Sequence, residues 1–219
     1  MAWSNLGVAA AERGVLPEVL LRGGIRRLLD ARLADIGATD PEASARAAED
    51  FIAHMRGAPI ALLPEKANEQ HYEVPAAFFE AVLGGRRKYS SAWWPEGTRT
   101  LDEAEEQALA ATCARARLAD GQRVLELGCG WGSLTLWMAE HFPASRITAV
   151  SNSHSQRAHI EAIARRRGLG NVEIVTCNVA DFQPEAGFDR VVSVEMFEHL
   201  RNWPEMFRRV STWLAPAGL

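Results

Sequence analysis

Between residues 25 and 36 the apolar positions Ile25, Leu28, Leu29, Leu33 and Ile36 recur at three- and four-residue steps, with Arg26, Arg27 and Arg32 between them. That spacing predicts one face of an amphipathic helix. Leu16, Val19 and Leu20 precede it, and Gly23-Gly24 is expected to break the helix from that earlier turn. Asp40-Pro41-Glu42 opens a second helix with a capping Asp, a first-turn Pro and an acid. Its face is Ala47, Phe51, Ile52 and Met55, and Gly57, Pro59 and Pro64 end it. Residues 1–65 therefore read as a helical N-terminal region. Thr100-x-x-Glu103 is a capping box, Asp102, Glu103, Glu105 and Glu106 suit a positive helix end, and Asp120-Gly121 is expected to stop that helix.

Past residue 120 the pattern changes to short apolar runs alternating with helical segments. Val124–Leu127, Arg146–Val150, Val172–Thr176 and Arg190–Val194 read as strands. Helices are expected over Leu134–Phe142, from a Ser153-x-x-Gln156 capping box to Gly168, and from Asn202 and Pro204 to about Leu214. Strands linked by helices predict an α/β fold: a doubly wound, Rossmann-like parallel sheet of about four strands behind the helical N-terminal region. The closing Leu214-Ala215-Pro216-Ala217-Gly218-Leu219 reads as a turn into another strand, so the sheet is expected to be incomplete.

Composition narrows the class without deciding it. The 219 residues are 47% hydrophobic and 24% charged, as in ordinary globular chains. A net charge of −4 gives no general reason to bind nucleic acid. The basic residues are almost all Arg, only Lys66 and Lys88 being Lys, which reads as coding bias. Cys113, Cys129 and Cys177 form no CxxC pair, which disfavours a zinc ribbon and a disulfide framework and fits a reducing, cytoplasmic setting. Glu12, Arg13 and Glu18 interrupt the first apolar stretch, so it does not read as a signal peptide, and no run reaches the roughly 18 apolar residues of a spanning helix.

The strongest local signal is Val124-Leu125-Glu126-Leu127-Gly128-Cys129-Gly130-Trp131-Gly132, a strand running into a glycine turn with a helix behind it. The GxGxG spacing is neither the dinucleotide fingerprint nor a phosphate loop. Glu126 before the glycines repels a pyrophosphate and favours a ligand with hydroxyls and positive charge, which S-adenosylmethionine satisfies. A purely structural turn is the competing account. The second strand ends at Ser151-Asn152-Ser153, where an amide or hydroxyl can meet ribose hydroxyls and Ser153 can simply cap a helix. The third ends at Cys177-Asn178-Val179, where Asn178 can meet an adenine edge or serve the turn. The fourth ends at Glu195-Met196-Phe197-Glu198-His199, two carboxylates and an imidazole at the ligand-binding edge of such a sheet. A salt-bridged surface turn is the alternative for Glu198 and His199. No metal site is expected: HExxH is absent, and His154 and His199 lack partners at ligand spacing.

These residues, with Ala67-Asn68-Glu69-Gln70-His71-Tyr72-Glu73-Val74-Pro75, Tyr89-Ser90-Ser91, LGCGWGSL, SNSHSQ and SVEMFEHLRNW, resemble the cyclopropane-fatty-acid-synthase-like methyltransferases, nearest in pattern to their coclaurine N-methyltransferase type. The resemblance runs over about residues 65–219. It implies a seven-stranded sheet of which this chain holds the first four strands, with residues 66–100 covering the cofactor and residues 101–219 binding it. It implies that Tyr72, Tyr89 and Ser90 close over S-adenosylmethionine and that Gly128 and Gly130 pack against it. Asn152 and Gln156 would face the ribose, Asn178 and Val179 the adenine, and Glu195, Glu198 and His199 the methyl acceptor. Asn178 stands where the family often has Asp. Ser91 stands where lipid cyclopropane synthases usually have Cys beside a bicarbonate ion, and Glu195 where they tend to have Gly. Both of the latter favour N-methylation of a small-molecule amine, with Tyr72 and Trp94 as aromatic faces for its positive charge. Modification of lipid acyl chains and a non-catalytic cofactor-binding remnant are the alternatives.

Overall fold

A computed structural model describes residues 2–62 and 76–219, which leaves Tyr72 outside the described residues. The chain divides into two compact units, Met1–Met55 and Arg56–Leu219.

The first unit holds α1 (Ala2–Glu12), α2 (Glu18–Asp35) and most of α3 (Pro41–Gly57). Gly23-Gly24 does not break α2, which runs on through both glycines. Glycine lowers helix propensity by about 1 kcal/mol against Ala but does not forbid the helical φ,ψ region. The Glu18 carboxylate, accepting from Arg22 at 2.6 and 2.9 Å, supports the turn just before them. Asp40 caps α3 as the sequence predicts, its Oδ1 accepting from the N–H groups of Glu42 (3.0 Å) and Ala43 (3.1 Å).

The second unit runs α4 (Ala76–Val82), α5 (Leu101–Arg115), β1 (Arg123–Leu127), α6 (Ser133–His141), β2 (Arg146–Ser151), α7 (His154–Arg167), β3 (Val172–Thr176), β4 (Arg190–Ser193), a 3-10 turn at Phe197–His199, and α8 (Trp203–Trp213). The strands are parallel in the order β3-β2-β1-β4. The chain winds outward from β1 through β2 to β3, then returns to place β4 on the other side of β1. The direction of winding reverses there, and a crevice opens beyond the carboxyl ends of β1 and β4.

Alternation along the strands sorts the two faces. Val124 and Ile147 pack with Leu109 and Cys113 of α5 and Trp137 and Met138 of α6. Ala149 and Ile174 pack with Ile160 and Ile163 of α7. Leu125, Leu127 and Val150 face the other way, onto Phe182, Phe188 and the α8 residues Met206 and Trp213. Helices thus cover both faces, the doubly wound arrangement expected.

Two helix ends differ from expectation. α5 stops at Arg115, before Asp120-Gly121. Arg117 takes φ +51° and the Leu118 N–H closes back on the Cys113 carbonyl (3.0 Å). That reverse turn usually carries glycine, so an arginine there leaves no signal in the sequence. Asp120 instead ties two loops, its Oδ1 accepting from Ala144 (2.8 Å) and Ser145 (3.0 Å). The Thr100–Glu103 box forms in both directions. The Ser153–Gln156 box forms in one only: Ser153 accepts the Gln156 N–H, while the Gln156 side chain turns inward to accept from Ser151 Oγ at 2.6 Å.

Candidate active site

β1 ends in the glycine turn. Gly128 has φ +81°, and a Cβ there would lie 2.6 Å from Met196 Cγ, so packing alone demands glycine. Gly130 has φ +51°, and a Cβ there would meet nothing within 4 Å. The open space beside Gly130 is the cleft. Two cavities share Gly128, Gly130 and Glu195 as common wall.

The first cavity lies over the ends of β2, β3 and β4. Asn152, Gln156, Asn178, Val179 and His199 line it. Gln156 is 3% exposed, and among the described residues its Nε2 has no hydrogen-bond partner. A buried amide donor without an acceptor is costly unless a ligand supplies one. Asn178 Oδ1 accepts from the Ala180 N–H (2.9 Å), which is the turn reading; its amide N–H groups remain for the cavity. The turn reading of Asn178 is therefore observed, and the same side chain lines the cavity.

The second cavity lies on the α5–α6 side. Lys88, Tyr89, Ser90, Glu126 and Trp131 line it. Glu126 points to this side because strand alternation sets it on the face opposite Leu125 and Leu127. It is 4% exposed, accepts from the Thr135 hydroxyl, and burial pushes its carboxyl up to about 7, the hydroxyl opposing part of the rise. Trp131 Nε1 and Ser133 Oγ are buried here without partners among the described residues. Tyr89 stands edge-on to Phe79 (ring centroids 5.4 Å apart), and Phe79 packs on Trp131 at 5.1 Å, so aromatic rings wall the cavity.

The loop before Tyr89 is clamped from α5. Glu105, fully buried, accepts from the backbone N–H groups of Gly84 (3.0 Å), Arg86 (2.9 Å) and Lys88 (3.2 Å), and Asp102 accepts from Gly85 (2.6 Å). The sequence marks both acids only as helix-end charges. Lys88 is the residue sequence reasoning missed. Its signal was there, in a lysine kept where nearly every other basic residue is Arg. Burial lowers its pKa, and the charges of Glu195 and Glu105 oppose the fall.

Glu195 follows β4 at φ +56°, a conformation a side chain adopts at a cost of about 1–2 kcal/mol. It is exposed and borders both cavities. His199 lines the first cavity from the 3-10 turn. Glu198, on the same turn, is exposed and lines neither cavity. Trp94 is 54% exposed and likewise lines neither.

The cleft has a cluster of side-chain amides at one end and the buried Glu126 and Lys88 at the other, with buried unpartnered donors at both among the described residues, joined across a glycine with open space beside it. Those features fit a charged nucleoside derivative such as S-adenosylmethionine. The strand order and the crevice define a Rossmann-like domain with its cleft at the switch point of a doubly wound sheet. The chain belongs to the mycolic acid cyclopropane synthetase family, whose sequence model matches residues 63–219.

Among individual proteins it is 36% identical over 208 residues to (S)-coclaurine N-methyltransferase of Thalictrum flavum subsp. glaucum, covering 95% of this chain and 58% of that protein. It is 33% identical over 153 residues to cyclopropane-fatty-acyl-phospholipid synthase of Escherichia coli strain K12, covering 69% of this chain and 38% of that one. The crystal structure of coclaurine N-methyltransferase bound to N-methylheliamine and SAH superposes with a TM-score of 0.86 at 35% identity, over all of this chain and 62% of that one. The chain thus spans less than two thirds of the length of these relatives.

Proposed function

We propose that this chain belongs to an S-adenosylmethionine-dependent methyltransferase that methylates the nitrogen of a small-molecule amine in the cytoplasm. The observation that carries the reading is the two-ended cleft about Gly130, with Gln156 Nε2 unpartnered at one end and buried Glu126 at the other. Bound there, the cofactor supplies an electrophilic sulfonium methyl group. Gln156 and Asn152 are assigned to the ribose, Asn178 and Val179 to the adenine, and residues 66–100, including Tyr72, Tyr89 and Ser90, to cover the cofactor. Three free cysteines suit the reducing location.

An amine acceptor is favoured over an acyl chain because the similarity to coclaurine N-methyltransferase extends over 95% of the chain, against 69% for the phospholipid synthase. An amine is protonated near neutrality and must lose a proton before its lone pair can attack. Glu195, Glu198 and His199, on the turn after β4, are the groups assigned to receive it. Alignment of the two reactants accounts for most of the remaining acceleration.

The test uses the full-length enzyme with radiolabelled cofactor against a panel of benzylic amines and against phospholipid vesicles. Glu198→Ala and His199→Ala should each lower amine turnover by about 10²–10⁴ with cofactor affinity unchanged, and the double variant should lose little more than the worse single. Transfer to acyl chains and none to amines would establish the lipid reading instead. Wild-type turnover in both variants would remove them as the base.

A further inference from the structure

Lys88 is buried, and its Nζ donates to Ser90 Oγ (2.7 Å), to the Ser91 carbonyl (2.8 Å) and, at greater length, to the Ser90 carbonyl (3.4 Å). An ammonium has three N–H groups, and all three are spent on this loop. Lys88 therefore has no donor left for a ligand in the cavity it borders. Its effect passes through Ser90.

Ser90 Oγ accepts from a cation, so its own proton must point elsewhere, and among the described residues that proton has no acceptor. Ser90 lines the second cavity together with Glu126 and Trp131. A hydroxyl polarised by an ammonium and opening onto a cavity is a donor for an anion. The far walls offer the opposite chemistry: Glu126 and Glu195 suit cationic groups. Arg87, the other cation bordering the cavity, is engaged with Glu80 at 3.1 Å and with His159 at 3.0 Å. Glu105 holds the Lys88 backbone in place.

We propose that Lys88 is a positioning residue that fixes the Ser90 hydroxyl as a hydrogen-bond donor to the α-carboxylate of the cofactor's methionine moiety. The proposal rests on the S-adenosylmethionine reading above. It divides the amino-acid end of the ligand between two walls, with the carboxylate on the Lys88–Ser90 loop and the positive groups toward Glu126 and Glu195.

The experiment is calorimetry on the full-length protein with two ligands. S-adenosylhomocysteine carries the carboxylate, and 5′-methylthioadenosine lacks the amino-acid end. Lys88→Met should weaken S-adenosylhomocysteine by about tenfold to a hundredfold, the worth of one charge-assisted hydrogen bond, and leave methylthioadenosine within about twofold. The double variant with Ser90→Ala should bind no more weakly than Ser90→Ala alone. Should Lys88→Met fail to fold, Ser90→Ala carries the test by the same contrast of ligands. Equal losses for both ligands would mean a merely structural lysine and overturn the proposal, as would undiminished binding of S-adenosylhomocysteine. Wild-type protein that binds neither ligand would overturn the cofactor reading itself, and the proposal with it.

Discussion

At the strand-end half of the cleft, Asn152, Gln156 and Asn178 offer uncharged amides set by the turns after β2 and β3. At the other half, Glu126, Lys88 and Glu195 offer ionisable groups from a strand interior, a clamped loop and a strained turn. The first half depends on backbone geometry, and nothing in its amides titrates. The second carries the desolvation cost of its charges, which a ligand of opposite charge relieves. The amides should therefore contribute alike at every pH near neutrality, whereas the buried ionisable groups of the second half should not.

The largest effect should come from the point where the halves meet. Gly130→Val would put a branched side chain into the open space of the cleft. Affinity for both S-adenosylhomocysteine and methylthioadenosine should fall by more than about a hundredfold, while the fold loses only the roughly 1–2 kcal/mol of a side chain at positive φ. Calorimetry and a denaturant melt read the two quantities separately. Loss of one ligand alone would show that the halves are not joined at this glycine.

Next in size is the titration of Glu126, which sharpens the contrast. Its folded-state value of about 7 lies above the ordinary 4.5, so the folded protein holds this proton more tightly than the unfolded chain. That contribution to stability is full below pH 4.5 and is lost as pH rises through about 7, up to about 3 kcal/mol in all. Unfolding free energies of the wild type from denaturant melts, measured against Glu126→Gln across pH 4 to 8, should fall by that amount. A cationic ligand favours the carboxylate, so S-adenosylmethionine binding near pH 6 should release close to one proton in the wild type and none in Glu126→Gln. Methylthioadenosine, with no charged group to place there, should release much less. Equal proton release with both ligands would break the comparison.

The smallest effect concerns Glu195. Glycine occupies φ +56° without steric cost, so in Glu195→Gly stability should hold or rise by up to about 1 kcal/mol while amine turnover falls. A thermal melt and an assay of the same preparation check both signs. A large loss of stability would mean that contacts of the side chain hold the turn together.

Much of the fold is legible in the chain because its signals are local. The strands are short apolar runs between turns, and the caps at Asp40, Thr100 and Ser153 each act within three residues. Three features were not legible. α2 passes through Gly23-Gly24 because a glycine pair lowers helix propensity without forbidding the helix. α5 ends at an arginine in a left-handed turn, for which the sequence has no marker. Glu105 looks like any helix-end acid, yet its burial and its three backbone partners depend on a loop some twenty residues away.

For the site, the sequence by itself determined the glycine turn, the residues at each strand end and the edge of the sheet they share. Strand positions follow from short apolar runs between turns, and a parallel sheet brings all its strand ends to one side. Tertiary structure alone decided which strand-end groups face the cleft. It turned Gln156 inward to Ser151 instead of back to its cap, and of the exposed neighbours Glu198 and His199 it put only His199 on the cavity wall. It also decided the charged half, where Glu126 is buried beneath α6 and Lys88 is drawn onto Ser90 and Ser91. Burial and side-chain pairing arise from contacts between segments far apart in the chain. No window of sequence contains both partners of such a contact, and so the chemistry of that half appears only when the chain is folded.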